Sequence, residues 1–225
     1  MKKGGFALLL GVCLLMIFSC RHKARYREPD KKMQASIAYK NIYDSYQTIS
    51  KDSVKLRMEQ FLSNFPEHSS GWNLYGWLLF ELNQPDSAVL AYKKAVELAP
   101  ESASGYAGAG AIYNTMNQNE SAEAYLLKAI SLHDSSAYTF LNLSMLYMKK
   151  NESAKSFAYA DSSFAHGDSL TAVCEGLSFI YHKQNEEKKS LKMYQQAVHL
   201  GLKDTALFNK VLSGAIKIED YYRHN

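Results

Sequence analysis

The 225-residue chain carries 26 Lys and Arg against 22 Asp and Glu, which gives a formal net charge of +4. With 47% hydrophobic and 21% charged residues it has the composition of a folded protein, which excludes a disordered or fibrous chain. The excess positive charge lies in the first 32 residues, and residues 33–225 have a net charge of about −2. This distribution argues against a body that binds nucleic acid.

The N-terminus is predicted to be an export signal. Lys2 and Lys3 precede an apolar run over residues 6–19, which is too short to cross a bilayer as a helix. The run ends in Ile17-Phe18-Ser19-Cys20, which resembles the lipobox of bacterial lipoproteins. The resemblance implies that residues 1–19 are a lipoprotein signal peptide and that Cys20 carries a covalent lipid. An ordinary secretory signal is the alternative.

Residues 20–34 are predicted to be a basic tether. Six Lys and Arg side chains face two acidic ones between residues 21 and 32, and such a cluster attracts anionic head groups beside a lipid anchor. Arg21 directly after the lipid-bearing cysteine resembles the default sorting signal for the outer membrane. The resemblance therefore implies a lipid-anchored protein of the bacterial cell envelope, on the outer membrane and facing the periplasm.

The body of the chain contains a single cysteine. Cys13 belongs to the predicted signal and Cys20 to the cleavage site, so only Cys174 remains. Cys174 has no second thiol with which to pair, so an internal disulfide is excluded unless Cys20 stays free. Cys174 is aligned with aromatic core positions of the repeat described next, and we expect it to be a buried structural thiol.

From about residue 35 the apolar pattern is helical, and it repeats at an offset of 34 residues. One column of the repeat is Asn throughout, four positions before it stands a Leu or Tyr, and a further column is Ala or Ser. These columns are Asn83, Asn117, Asn151, Asn185; Leu79, Tyr113, Tyr147, Tyr181; and Ala88, Ala122, Ser156, Ser190. The Asn column is expected where a first helix ends and the chain reverses in a left-handed conformation.

This unit resembles the tetratricopeptide repeat, a helix-turn-helix motif. The first copy matches best, with Trp72, Tyr75, Gly76, Leu79, Ala88, Tyr92, Ala95 and Pro100. The resemblance implies an all-α fold, a right-handed α-solenoid of helix pairs A and B with divergent capping helices. The repeat array is predicted over 69–204, in units 69–102, 103–136, 137–170 and 171–204.

The pattern weakens on both sides of the array. Residues 35–68 are predicted to form a divergent N-terminal helix pair, in which Val54 and Phe61 occupy places that favour small residues. Residues 205–225 are predicted to form a C-terminal capping helix whose apolar stripe shields the last unit. That stripe is Leu207, Val211, Ala215 and Ile218.

The resemblance also implies a binding groove on the concave face, formed by five places of helix A. The candidate residues are Asn73, Trp77, Phe80, Tyr138, Leu141, Met145, Met148, Glu175, Phe179 and His182. The mixture is aromatic and rich in methionine, which suits an apolar helix or an extended peptide. Alternatively, the helices of 35–65 fold into the groove and cover part of this set.

No motif in the sequence indicates catalysis or a cofactor. The glycines of residues 105–110 follow a helix and not a strand, which argues against a nucleotide-binding loop, and the seven histidines show no metal-ligand spacing. Asp followed by Ser or Thr and an apolar residue resembles an O-glycan acceptor, with helix N-capping as the alternative. It occurs at Asp52-Ser53-Val54, Asp86-Ser87-Ala88, Asp168-Ser169-Leu170 and Asp204-Thr205-Ala206.

These observations predict a non-enzymatic adaptor or scaffold that binds another envelope protein or peptide through the helix A face. It needs no cofactor besides the covalent lipid on Cys20, holds no metal, contacts the membrane through its anchor and tether, and does not bind nucleic acid. An accessory role in outer-membrane protein assembly or in a secretion machine is the alternative. An accessory subunit of an enzyme is a third hypothesis, which perturbed titratable groups in a closed pocket would indicate.

Overall fold

The computed structural model describes residues 30–167, 169–202, 205–213 and 215. In this part of the chain all regular structure is helical, which confirms the predicted all-α class. The predicted signal peptide, Cys20 and the tether up to residue 29 lie outside the described residues, as do Asp168, Asp204 and Ile218. The helices are α1 Lys31–Ser45, α2 Lys51–Asn64, α3 Ser69–Glu81, α4 Pro85–Leu98, α5 Ala103–Thr115, α6 Asn119–Ser131, α7 Ala137–Lys149, α8 Ser153–Gly167, α9 Thr171–Lys183, α10 Glu187–His199 and α11 Thr205–Leu212.

Two compact units divide the chain between residues 48 and 49. The first contains α1, which begins four residues before the predicted helix because Asp30 is an effective N-cap. Its carboxylate accepts a hydrogen bond from the Met33 amide at 2.8 Å. The first four residues of α1 thus lie within the predicted tether of 20–34, and the predicted helix pair of 35–68 is divided between the two units.

The second unit begins with α2, which packs against α3. Val54 and Met58 are fully buried, and Phe61 is 4% exposed. The large Phe61 ring fits because Gly71 of α3 has no side chain: a Cβ at Gly71 would lie 2.7 Å from the ring. A small residue in α3 thus compensates for a large one in α2.

Four helix pairs follow, and α3 and α4, α5 and α6, α7 and α8, and α9 and α10 each pack closely on one another. Small residues bring the two helices of a pair together. A Cβ on Gly76 would lie 2.9 Å from the Tyr92 ring, and one on Gly110 would lie 2.7 Å from Leu126 Cγ. Each pair also packs against the next, as expected of an α-solenoid, and the buried apolar residues form two core clusters.

The turn inside each helix pair has the predicted left-handed residue. Asn83 and Asn117 have φ of +57°, Asn151 of +60° and Asn185 of +61°. The amide that follows Asn83 donates to the Leu79 carbonyl at 2.9 Å, and the same bond recurs in the other pairs. These bonds satisfy carbonyls at the end of the first helix, so the Asn column defines where each pair reverses.

The C-terminal helix is shorter than predicted. α11 ends at Leu212, and the Ala215 amide donates to the Lys210 carbonyl at 2.8 Å, a bond that closes a helix end. Ala215, which was expected on the apolar stripe of a longer helix, is exposed beyond that end. The sequence has Gly214 two residues after Leu212, and glycine is the usual residue just beyond a helix end.

Candidate functional site

Helices α3, α5, α7 and α9 are the A helices of the four pairs, and they carry every residue of the predicted groove. Three of those residues are exposed: Trp77 at 47%, Tyr138 at 48%, and His182. The ring of Trp77 lies 6.1 Å from that of Phe80, its neighbour one turn further along α3. The A-helix face thus presents exposed aromatic surface at two of its units.

Five further residues of the predicted groove are half-buried: Asn73, Phe80, Met145, Met148 and Glu175. Phe80 packs against the core cluster that extends from the first unit into the third, whereas Met145 and Met148 pack against that of the last two units. Each therefore contributes one side to the core and leaves another open. A flexible methionine in such a place can adapt its free side to a ligand.

The prediction that Leu141 and Phe179 are accessible is wrong, since their exposed fractions are 7% and 2%. Leu141 lies against the next A helix: a Cβ on Gly176 would be 2.9 Å from Leu141 Cδ2. Phe179 belongs to α9, which packs against α7, α8 and α10 and has buried residues on all sides. A helix surrounded in this way has no free apolar face, so Phe179 belongs to the core. Leu141 belongs to it through its contact with α9.

Lys149, which the predicted groove omitted, joins the second pair to the third. Its Nζ donates to the Asn114 carbonyl at 2.7 Å and to Asn117 Oδ1 at 3.0 Å. Asn114 is buried, and its Nδ2 donates to the Asn142 carbonyl at 2.9 Å. The ammonium lies at the C-terminal end of α5, where a positive charge is stabilising. Its place in the repeat, the thirteenth, is one of the five used to define the groove and could have revealed it.

Asn73 has a polar atom without a partner. Its Nδ2 donates to Ser104 Oγ of the next A helix at 2.8 Å, whereas its Oδ1 is buried and accepts no hydrogen bond. Such an acceptor is costly unless a donor reaches it. Asn73 lies one turn before Trp77 on α3, so the unused acceptor stands beside exposed aromatic surface.

The strongest pKa shifts occur at tyrosines between neighbouring helices. Burial, together with the hydrogen bond to Glu59 at 2.9 Å, raises the pKa of Tyr75 to about 12. Burial also raises the pKa of Tyr147 and Tyr181, whose hydroxyls donate to Glu123 at 2.6 Å and to Asp161 at 2.9 Å. Because these bonds connect one helix pair to the next, we interpret the perturbed groups as structural.

Lysine side chains reinforce the same contacts. The hydrogen bond from Lys150 at 2.6 Å is the largest cause of a lowered Glu123 pKa, and that from Tyr147 is the next. Lys155 Nζ lies 4.8 Å from the centre of the Tyr147 ring, a cation–π contact. Glu123 and Tyr147 thus have their charge and ring surface already engaged within the solenoid.

The described residues show neither a metal centre nor a membrane span. They contain no cluster of three or more potential His, Cys, Asp or Glu ligands. Likewise, no helix among them is both long and apolar enough to cross a bilayer. Cys174 is buried, as predicted.

The possible glycan acceptors at residues 52–54 and 86–88 lie at helix starts, as the capping interpretation requires. They are not the caps, however: the side chain of Ser50 caps α2, and Gln84 stands at the cap position of α4. Ser53 and Ser87 are exposed in the first turn, and both residues that follow them are fully buried. N-capping therefore does not explain these two motifs, and O-glycosylation stays a prediction.

The paired helices, their Asn turns and their small packing residues define an α-solenoid built of repeats. Residues 69–102 and 103–133 each match a family model described as tetratricopeptide repeat. These segments contain the α3–α4 and α5–α6 pairs, so both pairs are tetratricopeptide repeats. Repeats of this family generally bind protein or peptide partners, and the proteins that contain them are generally non-catalytic adaptors.

Several solved structures are similar to this chain. TTC0263, a thermophilic TPR protein of Thermus thermophilus, is 17% identical with a TM-score of 0.69, over 80% of this chain and 98% of that one. PilW, a type IV pilus biogenesis factor, is 17% identical with a TM-score of 0.69, over 84% and 89%. PilF of Pseudomonas aeruginosa is 16% identical with a TM-score of 0.67, over 87% and 90%. At such identities the likeness establishes the fold alone.

A search of curated proteins found no match.

Proposed function

We propose that this chain is a non-enzymatic scaffold that binds a protein partner through the exposed A-helix face. The observation that carries the proposal is the pair of aromatic side chains on that face, Trp77 at 47% and Tyr138 at 48% exposure. Trp and Tyr are enriched at the centres of protein interfaces, where their burial contributes most of the binding free energy. Phe80, Met145 and Met148 extend the same apolar surface.

The chemistry of the face favours an apolar segment of the partner. Besides Trp77 and Tyr138, the apolar residues that the face leaves half-buried are Phe80, Met145 and Met148, and the Lys149 ammonium is already bonded to Asn114 and Asn117. An amphipathic helix or extended peptide can bury its apolar side chains there.

Photo-crosslinking in living cells tests the site. A benzophenone amino acid replaces Trp77 or Tyr138 in the full chain, and a third variant carries it at Leu90, which is 67% exposed on the B helix α4. We expect the same partner to be captured from both A-helix positions and not from residue 90. Capture of the same proteins from all three positions contradicts a defined binding face.

The proposal also concerns location in the cell: the chain is held in the bacterial cell envelope by a lipid anchor on Cys20, on the outer membrane and facing the periplasm. It is supported by the resemblance of residues 17–20 to a lipobox and by the basic tether that follows. Replacing Cys20→Ser should remove incorporation of a labelled fatty acid and release cleaved chain from the membrane fraction. Full incorporation of the fatty acid in that variant excludes Cys20 as the lipid site. That result would not bear on the proposal of a binding face, which does not depend on the anchor.

A second candidate is an accessory role in the assembly of an envelope machine. It is favoured by one observation, the similarity to PilW, which is described as a type IV pilus biogenesis factor. The two candidates share the binding face and differ in the partner. Identification of the protein crosslinked from residues 77 and 138 distinguishes them.

A further inference from the structure

Within the residues that the structure describes, α10 has two exposed apolar residues at places where the residues of the earlier B helices are buried or half-buried. In the 34-residue unit, the twenty-first and the twenty-eighth residues lie on helix B and face the next pair. In α10 they are Leu191 at 55% and Val198 at 43% exposure, whereas the equivalent Val89 of α4 is 6% exposed. The last pair thus presents an apolar ridge of two residues that are seven positions, or two turns, apart.

Contacts between the earlier pairs show what normally covers this ridge. Phe157 of α8, equivalent to Leu191, stacks on Tyr181 of the next A helix at 5.9 Å between ring centres. Glu123 of α6 stands at the same place and accepts a hydrogen bond from Tyr147 of the next A helix. In both pairs the partner is the eleventh residue of the following A helix.

α11 begins as the A helix of a fifth unit but does not reach that eleventh place. It has 8 residues and ends at Leu212, and the residue aligned with Tyr147 and Tyr181 is Ala215, which is exposed beyond the helix. Ala215 cannot take the part of those tyrosines, because it lies outside the helix and its side chain is a single methyl group. Among the described residues, the eleventh place of the fifth unit therefore does not provide Leu191 with the contact that Phe157 and Glu123 have.

We propose that residues 216–222 of this chain, Ile-Lys-Ile-Glu-Asp-Tyr-Tyr, dock on the Leu191 and Val198 ridge and complete the array. This inference is independent of the partner-binding function. The segment starts directly after Ala215, and seven extended residues span about 23 Å, against about 10 Å between Leu191 and Val198 along the helix. It is long enough to cover the whole ridge.

The charges of the two surfaces are complementary. Lys188 lies three residues before Leu191 on the same face of α10 and is exposed. Asp86 and Glu120 occupy the equivalent place in the first two pairs, so Lys188 reverses the charge found there. Glu219 and Asp220 follow Ile218 in the segment, so isoleucine on the ridge brings carboxylates within reach of the Lys188 ammonium.

Hydrogen exchange of the full chain tests this docking. We expect deletion of residues 216–225 to speed exchange of the α10 amides several-fold while leaving α4 unchanged. Leu191→Glu should have the same effect, and the deletion should add nothing to it, because both remove the same contact. If α10 exchanges at the same rate with and without the segment, the proposal is wrong.

Charge exchange gives a second, independent readout. Lys188→Glu should speed exchange of α10, and adding Glu219→Lys with Asp220→Lys should restore the slow rate. Lys189→Glu is the matched control, since Lys189 Nζ lies over the Phe157 and Tyr181 rings of the preceding contact. Its effect should not be rescued by the reversed segment. Protection of α10 that rises with protein concentration identifies a second copy as the occupant and overturns the proposal.

Discussion

Ser178 and Ser190 donate hydrogen bonds to each other's backbone carbonyls, at 2.9 Å in both directions. Ser178 lies on α9 and Ser190 on α10, and both are buried. In the first pair the equivalent residues are Gly76 and Ala88, which bring the helices together through their small size alone. The last pair therefore keeps the close approach and adds a reciprocal polar link.

This link predicts non-additive stability. Ser178→Ala and Ser190→Ala should each lower the free energy of unfolding by about 1 kcal/mol, since each removes one buried hydrogen bond. The two hydroxyls are also 3.2 Å apart, and either single substitution already removes this contact. The double variant should therefore lower the free energy of unfolding by less than the sum of the two single variants. Urea unfolding measures all three variants. Ser162→Ala, at an accessible serine of α8, is the control and should be within about 0.5 kcal/mol of the parent. Strict additivity contradicts a coupled pair.

A substitution at His133 should be stabilising. It lies two residues beyond the end of α6 with φ of +64°, and its counterpart two units later is Gly201 with φ of +96°. A non-glycine residue with a Cβ is disfavoured in this conformation by about 1–2 kcal/mol. His133→Gly should therefore raise the melting temperature, and Asn185→Gly should change it less because Asn tolerates the conformation. A lower melting temperature for His133→Gly contradicts the assignment of strain to this residue.

Phe179→Ala and Trp77→Ala separate core from surface. Because Phe179 is buried, we expect its loss to cost about 3–5 kcal/mol, whereas Trp77→Ala should cost about 1 kcal/mol or less. Thermal and urea unfolding provide the comparison. Similar stabilities of the two variants indicate that Phe179 is accessible after all, as the repeat pattern alone predicts.

The amide of Gly71 donates to Nδ1 of His68 at 3.0 Å, a cap that requires an unprotonated nitrogen. Burial lowers the pKa of His68 below its ordinary 6.5. The folded state therefore binds the proton less well than the unfolded one, so the stabilisation is complete above pH 6.5 and is lost as the pH falls through the folded-state pKa. His68→Asn keeps an acceptor that does not titrate.

Unfolding at about pH 8 and about pH 5 should show a larger loss of stability for the parent than for His68→Asn. The difference between the two proteins isolates His68, because the other histidines are common to both. Equal losses contradict a cap that depends on the protonation of His68.

Periodicity in the sequence was sufficient to predict the helix pairs and their turns, since the Asn and small-residue columns each report a local requirement. Asn83 needs a left-handed φ, and Gly76 needs to admit the Tyr92 ring; neither depends on distant parts of the chain. For the same reason, the burial of Cys174 could be inferred from its aromatic counterparts in the other copies. Local physics therefore determines most of the fold.

The candidate site was predictable only in part, because exposure depends on what the neighbouring pair places against each residue. Leu141 and Met145 belong to the same set of helix A places, yet Leu141 is buried close against Gly176 of the next A helix, whereas Met145 is half-buried. The early end of α11 at Leu212 was missed because the apolar spacing continues beyond it. Lys149 stands at one of the groove places, but its bonds to Asn114 and Asn117 of the preceding pair could not be read from the repeat pattern.

The most direct test of the scaffold is the amount of partner retained by variants of the exposed face. The full chain is purified from its native cells, as is a Trp77→Ala and Tyr138→Ala double variant. A Leu56→Ala and Leu90→Ala double variant is the control, because these leucines of α2 and α4 are 59% and 67% exposed and lie outside the A-helix face. The account predicts that the crosslinked partner is lost from the aromatic variant and retained by the control, at equal melting temperatures. Retention of the partner by the aromatic variant would contradict it.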